Sequence, residues 1–149
     1  MGATADKVDC GAEVNNGPMH VVAKAALRAL ETWIDTGIAP PSAPRLETPS
    51  GDATKVVSDA DGVAQGGIRT PPVDVPAAIV SGKSGPKTST ICLLLGSTTP
   101  RSAAQLTAIY GTRAQYEAKY AASLEVAIKA GYVLEEDRDA MNEYMSWPK

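Results

Sequence analysis

Residues 38 to 52 read IAPPSAPRLETPSGD, with Pro40, Pro41, Pro44 and Pro49 close together. Proline has no N–H to give and fixes φ, so this span excludes both a helix and a central strand. It is expected to be an ordered surface crossing or a linker, dividing a leading part from a carboxyl-terminal remainder. The whole chain has 149 residues, one domain's worth with one modest core, which disfavours separate catalytic and binding domains.

The leading part, NNGPMHVVAKAALRALETWIDTG, reads as a helix from Pro18 to Thr36. Asn15 or Asn16 is the expected cap, Pro18 suits the first turn, and Gly37 closes the helix in a left-handed conformation. Val22, Ala26, Ala29, Leu30 and Trp33 recur at helical spacing on one face.

Beyond the prolines, TKVVSDADGVAQGGI offers two short strands around Asp61-Gly62, a pair suited to a tight turn. VDVPAAIV and ICLLLGSTTP read as further strands, with Pro76 at a boundary or edge. SGKSGPKTST between them is small, polar or cationic and reads as a mobile loop. Helical spacing returns from Ser102 to Tyr110 and from a Thr112 cap to Ala130, where Tyr116, Tyr120, Leu124, Ala127 and Ile128 form a stripe ended by Gly131. A last helix spans about 135–145, its leading acids Glu135, Glu136 and Asp137 suited to the positive end of the helix dipole.

The organisation is thus a single segment, 1–149, with a leading helical part at 10–37, the proline-rich crossing at 38–54, a small sheet at 55–96 containing the loop 81–90, and a helical tail at 101–146. The fold class is α+β, with a long amphipathic helix, a mostly antiparallel sheet of three or four strands, and two or three C-terminal helices.

There is no Phe, with two Trp and five Tyr, so the core is expected to be built from Ala, Val, Leu and Ile. A net charge of −3 shows no bias toward polyanions, which argues against nucleic acid and acidic membranes as partners. No apolar run approaches the roughly 20 residues of a membrane span, and MGATADKVDC has no signal-peptide core. Cys10 and Cys92 are too far apart for a CxxC motif; they are either two reduced thiols or one long-range disulfide, and a bond would point to a secreted or periplasmic setting.

Local motifs fail one by one. AAIVSGKS ends like a phosphate-binding loop, but Ala77 stands where the first glycine belongs and Gly85-Pro86 follows instead of a helix, leaving Lys83 as a solvated loop charge. Asp59-Ala60-Asp61-Gly62 resembles the start of a calcium loop, yet the glycine comes early and the closing ligand position is Thr70. Ser84 and Lys87 have the spacing of a serine–lysine pair but sit in a loop with nothing to fix them. No Gly-x-Ser-x-Gly elbow occurs. No metal-ligand set emerges, since a single histidine and two distant cysteines leave only scattered carboxylates. No cofactor is expected.

His20, the only histidine, is the one candidate for acid–base catalysis near neutral pH. In the first turn of a helix the positive dipole disfavours imidazolium, and no nucleophile is visible for it to deprotonate. The favoured reading is a helix residue hydrogen-bonded to a neighbouring loop.

Three pieces taken together, NNGPMHVVAKAALRALETWIDTGIAPPSAPRLE, GGIRTPPVDVPAAIVSG and CLLLGSTTPRSAAQLTAIYGTRAQYEAKYAASLEVAIKAGYVLEEDRDAM, resemble the carboxyl-terminal part of a bacterial family of esterase-like α/β-hydrolase domain-containing proteins. The resemblance runs from about Asp9 to about Met145. It implies that the hydrolase sheet, nucleophile and acid lie upstream, that the catalytic histidine falls just before Cys10, and that His20 is outside the triad. The helix 18–36 would then pack against the hydrolase sheet and, without it, leave an apolar patch exposed. The expected function is the C-terminal segment of such a hydrolase, inactive alone, its partner the missing hydrolase core. The alternative is a self-standing interaction module that self-associates or binds a partner through the helix 18–36 face.

Overall fold

The computed structural model describes residues 9–50, 52–87 and 89–148. In chain order the elements are α1 (Met19–Thr36), α2 (Pro71–Asp74), β1 (Ala78–Ser81), α3 (Thr90–Leu95), β2 (Ser97–Pro100), α4 (Ala103–Tyr110), α5 (Arg113–Lys129), a 3-10 turn at Glu135–Asp137, and α6 (Arg138–Asn142). The architecture is α+β, as the periodicities require. The sheet has two antiparallel strands among the described residues, β1 on β2, fewer than the three or four expected, with Val80 opposite Thr98 and Ala78 opposite Pro100.

Three segments read as strands differ, and in the first, VDVPAAIV, Val73 and Asp74 belong to α2 and only Ala78 onward is strand. The hairpin around Asp61-Gly62 is present only as a turn with one bridge, Ser58 to Ala64. Two backbone bonds cross it, from the Asp59 N–H to the Val63 carbonyl and from the Gln65 N–H to the Val57 carbonyl at 2.9 Å each, and Asp59 Oδ1 holds the turn by accepting from the Asp61 and Val63 N–H groups at 3.0 Å each. The apolar run ICLLL is helix α3 rather than strand, and only Ser97–Pro100 after it pairs. Gly96 makes the break: its φ is +63°, and a Cβ there would lie 2.3 Å from the Ser81 carbonyl oxygen, so the chain turns from helix into strand only with glycine in that place. A short apolar run carries no period that separates the two outcomes.

The proline-rich crossing contains no helix or strand among its described residues. The leading helix starts at Met19, not near residue 10; Gly37 ends it at φ +75° with its N–H on the Trp33 carbonyl at 2.9 Å. The expected asparagine cap is absent, and Pro18 holds the N-cap position with no side-chain bond to the helix. The asparagines clasp the sheet instead. Asn15 Nδ2 donates to the Ser81 carbonyl at 3.0 Å and its backbone N–H to Leu95 at 3.1 Å, while the Asn16 N–H donates to Thr98 Oγ1 at 3.1 Å.

Both later caps are made by side chains. Ser102 with Gln105, and Thr112 with Gln115, form reciprocal capping boxes at the starts of α4 and α5. The last helix splits into the 3-10 turn and α6.

One core cluster joins Val21 to Leu124, Ala127, Val133 and Met141, tying α1 to α5 and the C-terminal turns. The second corrects the expected Ala/Val/Leu/Ile core: its centre is Tyr110, Tyr116 and Tyr120, beside Val75 and Leu106. The Tyr110–Tyr116 and Tyr116–Tyr120 ring centroids are 5.2 and 6.0 Å apart and tilted, and Trp147 adds a third contact at 5.7 Å. Tyrosine serves here because its polar end is satisfied: the Tyr120 hydroxyl donates to the Met141 carbonyl at 2.5 Å, and that of Tyr110 to Pro76 at 3.2 Å.

Candidate functional site

A groove of about 490 Å³ lies over the sheet, within the size range of small-molecule sites. Its floor is Ala78 and Val80 of β1 with Thr98 and Pro100 of β2, residues that stand opposite one another in register and so share one face. Glu13 and Asn16 enter from the leading segment, Arg101 from the end of β2, and Glu143 and Tyr144 from beyond α6. Thr98 is the buried pivot of the first wall: its hydroxyl donates to the Val14 carbonyl at 2.9 Å and accepts from Asn16 N–H.

Arg101 is nearly buried and pairs with Asp61, so its charge is neutralised within the fold; its Nε has no partner among the described residues. Burial, with Glu143 beside it, holds the Tyr144 phenol above the ordinary tyrosine range. Glu13 and Glu143 are exposed and in no ion pair among the described residues. The groove therefore offers an apolar floor, a phenol and two exposed carboxylates. Sequence reading missed this set because its members come from both ends of the chain.

A second groove of about 520 Å³ continues past Val80 to Gly82 and is mainly apolar, walled by Met19, Val22, Ile68 and Leu94.

The sequence-derived candidates do not meet in either groove. His20 is exposed in the first turn of α1, and among the described residues no hydrogen bond reaches its ring, so the expected tie to a loop is not made. Lys87 pairs with Asp9 and its N–H donates to the Cys10 carbonyl at 3.2 Å, away from any serine–lysine dyad. Lys83 is an exposed loop charge, and Asp59 holds its own turn. Among the described residues no three His, Cys, Asp or Glu side chains gather around one point. Of the two states open to the cysteines, the structure has the bond: Cys10 and Cys92 form a disulfide with Cα atoms 5.5 Å apart.

The family model described as alpha/beta hydrolase domain matches residues 1–143. The chain belongs to the alpha/beta hydrolase domain family. That match spans nearly the whole sequence, as the resemblance of its three quoted pieces implied. No curated protein and no solved structure matches it. Within this alpha/beta hydrolase domain chain the described strands form a single antiparallel pair, and the described helices include none long and apolar enough to cross a membrane.

Proposed function

We propose that the chain is the C-terminal segment of an esterase-type α/β-hydrolase, lacking the nucleophile, inactive alone, and serving to pack against the hydrolase core and wall part of its substrate pocket. The observation that carries this reading is the outward side of α1. The helix buries only Val21 and Ala25, whereas Leu27, Leu30, Trp33 and Ile34 are 62%, 45%, 49% and 75% exposed. A helix with so much apolar side chain in water is built to be covered. Membership of a hydrolase family together with the absence of a Gly-x-Ser-x-Gly elbow from the sequence makes a catalytic core the natural cover.

The test is an assay of the purified 149-residue chain on short-chain p-nitrophenyl esters. The expected result is hydrolysis no faster than the blank, unchanged in His20→Ala. Turnover that disappears in His20→Ala would overturn the reading and make His20 the base. Sedimentation of the same sample bears on the interaction-module alternative, which requires self-association that is lost when Leu30, Trp33 and Ile34 are made polar.

A further inference from the structure

The Cys10–Cys92 bond is attached unequally at its two ends. On the Cys92 side stands α3, whose six residues, Thr90–Leu95, are too few to hold a helix by themselves. Ser89 gives it no side-chain cap, and Gly96 separates it from β2. Cys92 is its one buried residue, while Ile91, Leu93 and Leu94 are exposed. Besides the disulfide, the Asn15 N–H reaches the Leu95 carbonyl at the end of the helix, at 3.1 Å.

On the Cys10 side the chain is held several times over. The Lys87 N–H donates to the Cys10 carbonyl at 3.2 Å, and Asp9 pairs with the Lys87 ammonium. Gly85 packs so closely that a Cβ there would lie 2.8 Å from the Cys10 carbonyl oxygen. Further along, the Thr98 N–H donates to the Glu13 carbonyl at 2.8 Å and Asn15 Nδ2 to the Ser81 carbonyl at 3.0 Å. Opening the bond therefore removes the buried anchor of α3 and leaves the leading segment in place. Leu94 and Leu95 line the second groove, so the wall that α3 gives this groove depends on the same bond.

We propose that Cys10–Cys92 is a redox latch on α3. A small dithiol opens it in the folded chain, α3 loses its helix and the second groove loses that wall, while the sheet, the leading segment and both core clusters persist. Both cysteines are buried, so attack follows local opening of the short helix. A thiolate of the dithiol attacks Cys92 Sγ; the S–S bond breaks and Cys10 leaves as a thiolate that takes up a proton. The second thiol of the reductant, giving up its proton, attacks the reductant sulfur of the mixed disulfide and releases Cys92 as a thiol. Two electrons pass from the dithiol to the protein, and the reductant ends as a cyclic disulfide. The latch does not rest on the hydrolase reading, because both of its ends lie in this chain.

The experiment adds dithiothreitol to the ¹³C,¹⁵N-labelled full chain without denaturant and counts free thiols by alkylation and mass. The Cα secondary shifts of Ile91, Cys92, Leu93 and Leu94 are expected to be helical in the oxidised chain and to fall to coil values in the reduced one. Those of Tyr116, Tyr120 and Leu124 should stay helical, and the Thr98 amide should keep its place. The Cys10→Ala/Cys92→Ala chain should show the reduced pattern from the start and give no response to dithiothreitol. Helical α3 shifts with both thiols free, or a bond that resists the dithiol until the chain is denatured, would overturn the proposal. Collapse of the whole spectrum to coil values on reduction would do the same, making the bond a staple of the entire fold.

Discussion

Cys10 and Cys92 are 82 residues apart in sequence and 5.5 Å apart at Cα, both fully buried, joining the leading segment to α3. A cross-link of that span removes a large part of the unfolded chain's freedom. Loop-closure entropy puts the effect at about 4–5 kcal/mol as an upper figure. The double variant Cys10→Ser/Cys92→Ser is expected to lower the urea midpoint markedly, and reduction of the native chain should reproduce the loss. An unchanged midpoint would show that the bond holds nothing the fold does not hold already.

Asp61 and Arg101 meet from a turn and a strand end 40 residues apart, with Arg101 the more buried of the two. Removing the carboxylate leaves a guanidinium out of water without its partner, so Asp61→Asn should cost about 1–3 kcal/mol in equilibrium unfolding. Replacing both by apolar residues of similar size should cost less than Asp61→Asn alone. The reverse order would mean that the pair matters for more than charge compensation.

Alkaline pH should destabilise the tyrosine cluster. Burial, aided by Tyr116, pushes the Tyr110 phenol up to about 12 from 10.0, and burial first, then Tyr116 and Tyr144, raises Tyr120 as well. A folded-state pKa above the unfolded one means that the native state keeps protons the unfolded state releases. That stability is fully present below pH 10 and is lost as pH rises through about 12. Tyrosinate absorbance followed beside circular dichroism should show Tyr110 ionising together with unfolding. In Tyr110→Phe the stability should fall less steeply with pH above 10; an identical slope would remove Tyr110 from the account.

The two sides of α1 should respond in opposite ways. Val21 is fully buried against Leu124 and Met141, and Val21→Ala should cost about 1–3 kcal/mol. Ile34 is 75% exposed, so Ile34→Glu should stay within about 0.5 kcal/mol in the isolated chain while reducing any association through that face. A large loss from Ile34→Glu would show that the outward face is already covered.

What the sequence determined by itself is whatever neighbours along the chain enforce. The four prolines bar regular structure, Ser102 and Thr112 start their helices through bonds to residues three positions on, Gly37 ends α1, and the Tyr116–Ile128 stripe turns inward at the helical period. Each is a matter of dihedral restriction or hydrogen bonding within one turn. The tertiary structure decided the rest. It made ICLLL a helix where a strand was expected, since Gly96 next to the Ser81 carbonyl sets where pairing begins. It took Asn15 and Asn16 from a helix cap to the sheet, and it gathered Glu13, Thr98, Arg101 and Glu143 around one groove. Those outcomes depend on contacts between residues tens of positions apart, where the cost of closing the loop is met only by the assembled core and leaves no local pattern to read.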